Sequence, residues 1–114
     1  MDRINYKRCI QAAFVCSTAC LNCATEALKQ PNFKMFALCV SLNRECALLC
    51  TATAQMLAMG GKNALLLCNI CANICETCAT ECERYIELKH CQHCAEACHR
   101  CAEECHNMIF EEIS

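Results

Sequence analysis

The chain has 114 residues, a formal net charge of −2 and 56% hydrophobic residues, and 17 of its residues are cysteine. That length supports one domain around one core, and the near-balanced charge, scattered Lys and Arg and few aromatics exclude a nucleic-acid-binding stripe. So dense a cysteine content means a metal protein or a disulfide scaffold, and an odd count cannot pair fully within one chain.

The opening MDRINYKRC is charged and carries no apolar signal region. No uninterrupted apolar run approaches the roughly 18 residues of a membrane span. The expectation is a cytoplasmic protein with no membrane association, whose thiols stay reduced.

Taken in order, the chain reads as four helical segments within one domain, residues 1–114. The first, about 3–29, places Cys9, Cys16, Cys20 and Cys23 on one heptad seam, with Tyr6, Ala13 and Ala27 between them. It ends before Pro31, which disfavours helix in the residue preceding it. The second, about 32–59, has Asn32 as its expected N-cap. Cys39, Cys46 and Cys50 continue its seam, with Phe36, Asn43, Thr53 and Leu57 interspersed, and Gly60-Gly61 stops it. The third, about 62–86, contains CNICANICETCATEC, with Cys68, Cys71, Cys75, Cys78 and Cys82 at alternating steps of three and four, flanked by Ala64 and Tyr85. The fourth, about 90–112, repeats that rhythm in Cys91, Cys94, Cys98, Cys101 and Cys105, and Met108 takes the next seam position.

Steps of three and four average the spacing of an inward-facing seam. Four such segments joined by short turns predict an all-α, antiparallel up-down-up-down four-helix bundle, with every cysteine lining its core. One buried cysteine is an ordinary small hydrophobe. A whole seam of them is a poor way to pack a core, because Leu or Ile packs better and resists oxidation.

Neighbouring sulfurs on one helix lie close enough to share an ion. Dense thiolate selects soft metals, above all Cu(I), which accepts two or three sulfurs. One monovalent ion per thiolate leaves the core near neutral, whereas four thiolates around Zn²⁺ leave a net −2. Zinc sites also favour loops over straight helices. A zinc or mixed-metal thiolate buffer is the alternative, then an iron–sulfur carrier. The Cys-x2-Cys spacings that resemble iron–sulfur motifs fall out of the seam automatically.

With its repeated C-x2-C-x3-C-x2-C-x3-C in segments three and four, the chain resembles the cytosolic copper storage proteins over essentially its whole length. The resemblance implies Cu(I) stored along the bundle axis, loading at one end, and a homotetramer. By seam position it extends the ligand role to all of the cysteines named above. Ala13, Asn43 and Thr53 are seam positions without sulfur and imply fewer sites between segments one and two. A copper chaperone is the partner such a store implies.

Beyond the cysteines, Met108, His106 and His90 are candidate ligands at the bundle ends. Thioether and imidazole hold Cu(I) more weakly than thiolate, which suits a loading mouth. Met108 and His106 fall at the end with Cys9, Cys68 and Cys105, Met108 on the seam and His106 from an outer position that favours a solvated histidine, and His90 falls at the other end with Cys23 and Cys91. Phe14, Leu21 and Leu28 form an outer apolar stripe on the first segment, beyond what a monomer needs, and point to an oligomer. No nucleophile–base arrangement or phosphate-cradling loop is present, and the carboxylates are expected on outer faces. The chain reads as a store, not an enzyme.

Overall fold

The computed structural model describes residues 3–113, with side chains from 4 to 111. Met1, Asp2 and Ser114, which the one-domain reading includes, lie outside the described residues. The elements are α1 (Arg3–Leu28), a short 3₁₀ turn (Phe33–Phe36), α2 (Ala37–Ala58), α3 (Ala64–Cys82) and α4 (Lys89–Ile113). Each helix packs against the two beside it, giving an antiparallel four-helix bundle 48 × 20 × 18 Å in extent.

Helices form because Pro31, Gly60 and Gly61 all lie between them and alanine fills many inner positions. Alanine and cysteine are small, so the buried residues form a single slender cluster along the axis. Exposed threonines inside the helices satisfy themselves locally. Thr18, Thr25, Thr77 and Thr80 each donate to the carbonyl four residues back.

The turns depart from the expected boundaries. Asn32 does not cap α2: it precedes the 3₁₀ turn, its side chain makes no capping bond, and its amide instead reaches Met35 Sδ at 3.4 Å. α2 therefore starts at Ala37. The tighter turn delivers Phe36 into the bundle end, where its ring meets Tyr85 edge-on at 4.8 Å. α3 stops at Cys82 instead of 86, because the chain turns at Glu83–Arg84 to fold Tyr85 inward. The Tyr85 hydroxyl donates to Glu81 Oε2 at 3.1 Å, and Gln92 Nε2 donates to the Tyr85 carbonyl.

The glycine stop is a Schellman ending. Gly60 sits at φ 66°, its N–H bonds the Leu57 carbonyl, and the Gly61 N–H reaches back to Met56 O. The Met56 thioether packs where a Gly61 side chain would stand.

Phe33–Ala58 is long and apolar enough by composition to cross a membrane, with a mean hydropathy of 1.3. Its seam residues Cys39, Cys46, Cys50 and Leu57 face the other helices, and Arg44 and Glu45 interrupt it on the outer face.

Candidate metal centre

All 17 cysteines are free, and each is fully buried, at 0% exposure. The three–four rhythm holds each helix's thiols on one face, and the antiparallel packing interleaves the four faces into a sulfur column. At one end Cys23 meets Cys91 and Cys39 meets Cys82, both at 3.8 Å. In the middle Cys16 lies 3.6–4.0 Å from Cys20, Cys46, Cys75 and Cys98. Cys50 touches Cys71 and Cys75 at 3.7 Å and Cys101 at 3.9 Å. The far end holds Cys9, Cys68 and Cys105 within 4.8 Å of one another.

Four-sulfur groups of the same mutual closeness recur along the middle, among them Cys16/Cys46/Cys50/Cys75, Cys16/Cys20/Cys46/Cys98, Cys20/Cys78/Cys94/Cys98 and Cys50/Cys71/Cys75/Cys101. Each draws on three helices. Straight helices therefore gather four sulfurs here by contributing from three sides of the bundle, without the loops that zinc sites favour.

Seam position 43 carries more than the sequence indicated. Asn43 is fully buried, and its Oδ1 accepts from the thiols of Cys78 (3.2 Å), Cys94 (3.5 Å) and Cys82 (3.8 Å), while Nδ2 donates to Cys39. It cross-links three helices with a neutral dipole. Thr53, also buried, returns its hydroxyl to the Leu49 carbonyl at 2.7 Å.

The three non-cysteine candidates separate. His90 joins the thiols: its Nδ1 lies 3.5 Å from Cys23 Sγ and 3.6 Å from Cys91 Sγ, and its Nε2 is buried with no partner. Met108 is buried in the core cluster at 1% exposure. His106 does not join the core; it stands on the outer face, 3.4 Å from Glu76. His99 likewise pairs with Glu83 at 3.1 Å.

Two carboxylates contradict the expectation that all face outward. Glu81 (6% exposed) bonds Tyr85 and Arg84, and Glu104 (8% exposed) lies 3.8 Å from Arg100. Spacing of three or four residues to a partner is the signal that would have found them. No lysine or arginine is buried among the described residues, so nothing in the core offsets negative sulfur.

Sulfur–sulfur hydrogen bonding divides the thiols. Bonds from Cys16, Cys20, Cys50 and Cys75 hold the Cys46 thiol below its ordinary range, against burial. Bonds to Cys101, Cys16, Cys46 and Cys50, reinforced by burial, push Cys75 well above it, and Cys98 and Cys105 follow the same pattern. The first thiolate in a group is stabilised by its neighbours' S–H groups, and further ones are suppressed.

The family model described as Csp, copper storage protein, matches residues 2–110. The chain is 38% identical over 87 residues to the uncharacterized cysteine-rich protein YhjQ of Bacillus subtilis (strain 168), spanning 76% of this chain and 80% of that protein. Among solved structures it resembles the Cu(I)-bound copper storage protein BsCsp3, with TM-score 0.88, 36% identity, and coverage of 92% of this chain and 98% of that one. It also resembles a cytosolic copper storage protein from Streptomyces lividans carrying five coppers, with TM-score 0.92, 32% identity, and coverage of 95% and 94%. A continuous buried thiol column, a match over nearly the full length and these structural likenesses agree: the chain belongs to the copper storage protein family.

Proposed function

We propose that this protein is a cytosolic store of Cu(I), with all of its cysteines as ligands. The observation that carries the reading is the sulfur column itself: fully buried free thiols in contact at 3.6–4.0 Å, with no buried lysine or arginine among the described residues. Each arriving Cu⁺ displaces a thiol proton and bonds to the resulting thiolate, so loading replaces a neutral S–H by a neutral Cu–S unit. Contacts between neighbouring helices let two or three sulfurs close on one ion, as Cu(I) prefers. Burial then keeps water and oxidants from the copper.

His90 marks the loading end. Among the described residues its half-buried imidazole is the one non-sulfur ligand type facing the column at either mouth, whereas the buried Met108 and Leu57 side chains fill the opposite end. His90→Ala is expected to slow uptake and leave capacity unchanged. A homo-oligomer, a tetramer by family resemblance, is supported by the exposed Phe14, Leu21 and Leu28 on α1 and Leu38 and Leu48 on α2. Light scattering at working concentration tests it, and a monomer refutes it. A copper chaperone is the donor such a store requires.

The deciding experiment is anaerobic titration of the reduced, metal-free protein with Cu(I) against a strong Cu(I) chelator. Uptake of many ions per chain in competition with the chelator supports storage. Uptake of only one or two refutes it.

A further inference from the structure

We infer that the middle of the metal-free core also takes Zn²⁺, in cages of four sulfurs from which arriving Cu(I) displaces it. The cages belong to the storage column proposed above, and only the displacement step depends on the copper reading.

In the group Cys50, Cys71, Cys75 and Cys101, five sulfur separations are 3.7–3.9 Å, and all lie within 4.8 Å. The centre of a regular tetrahedron lies about 0.61 of an edge from each corner, so an edge of about 3.8 Å leaves about 2.3 Å, the length of a zinc–thiolate bond. The metal-free packing thus already has the dimensions of a four-thiolate zinc site. Cys20, Cys78, Cys94 and Cys98 form a second such group, with Cys20 at 3.7 Å from Cys94 and 3.8 Å from Cys98. The two groups share no residue and can be filled together.

Charge is the obstacle, and the structure supplies a partial answer. Binding Zn²⁺ to four thiols releases four protons and leaves a net −2 per cage. Cys16 and Cys46 lie between the cages and touch both: Cys16 contacts Cys75, Cys20 and Cys98, and Cys46 contacts Cys50, Cys75 and Cys98, all at 3.6–4.0 Å. Once Cys20, Cys50 and Cys75 are zinc-bound thiolates they no longer donate to Cys46, so Cys16 and Cys46 keep their protons and each donates its one S–H to a neighbouring thiolate. Zinc occupancy therefore stays at these cages, where spare donors remain. Copper, which leaves no net charge, can fill the whole column. No electron moves when copper displaces zinc: Cu⁺ takes over the thiolates and Zn²⁺ leaves.

The test is anaerobic titration of the reduced full chain with Zn²⁺ against a chromophoric chelator, with Co²⁺ as a spectroscopic probe. The expected results are tight uptake, close to four protons released per Zn²⁺, and the intense visible absorption of tetrahedral cobalt–thiolate. Cys50→Ala/Cys75→Ala should lose one equivalent, and adding Cys20→Ala/Cys98→Ala should lose another, with circular dichroism verifying helicity. Weak pink octahedral cobalt, no tight uptake by the unmodified chain, or unchanged capacity in helical variants overturns the inference. Cu(I) is then added to the zinc form; released zinc supports displacement, and retained zinc overturns it. Normal copper uptake without zinc uptake defeats this inference alone, whereas failed copper uptake defeats the storage reading.

Discussion

Counting the protons released as copper loads distinguishes two ways of filling the same sulfurs. If every Cu(I) is shared among thiolates at one ion per sulfur, each ion displaces one proton and the column stays neutral. If each ion instead takes two thiolates of its own, it displaces two protons and leaves a charge of −1. The 17 thiols then fill at about eight ions, with about eight negative charges in a bundle 48 Å long and no more than 20 Å across. Among the described residues the core has no buried lysine or arginine to answer them. An uncompensated buried charge costs several kcal/mol, so eight would exceed the entire stability of an ordinary domain, about 5–15 kcal/mol. The expected ratio is therefore close to one proton per Cu(I), constant until the thiols are consumed. A weakly buffered anaerobic titration with a pH indicator reads it directly. A ratio near two with saturation at about half the cysteine count would refute the charge argument, while leaving a copper store of lower capacity.

The remaining predictions concern the protein without metal. Its core is already packed by neutral thiols, so the reduced apo-protein should be strongly helical by circular dichroism; a mostly disordered spectrum would show that metal is needed to fold it. Cys75, Cys98 and Cys105 hold their protons above the ordinary thiol value of 9.0, so the unfolded chain releases those protons first. Their contribution is complete below about pH 9 and falls as pH rises beyond it, and chemical denaturation should weaken on the alkaline side; stability constant or rising there would reverse the sign. Leu57→Ala removes a side chain only 2% exposed and should cost about 2–5 kcal/mol in denaturant melts. Gly60→Ala forces a side chain onto φ 66° and should cost about 1–2 kcal/mol; no loss would mean the turn relaxes freely.

The sequence by itself determined the bundle and the contents of its core. Steps of three and four confine Cys68 through Cys82 to one helix face whatever the neighbours do, and the same arithmetic buried Ala13, Asn43, Thr53 and Met108. Tertiary structure decided everything that depends on how one helix slides past another. Periodicity says that Cys50 and Cys101 face inward; only the axial offset of α2 against α4 brings them to 3.9 Å and closes four sulfurs into a cage. The end of α3 was equally illegible. The Tyr85 hydrogen bond to Glu81 and its ring contact with Phe36 accompany the early end of α3, where Glu81 is buried. The histidines were legible: seam position put His90 beside Cys23 and Cys91 and His106 on the outer face, and tertiary structure added only the distances and the Glu76 partner. A residue's face is fixed locally by helical geometry, whereas its partners are fixed by turns and offsets set by packing across the whole chain.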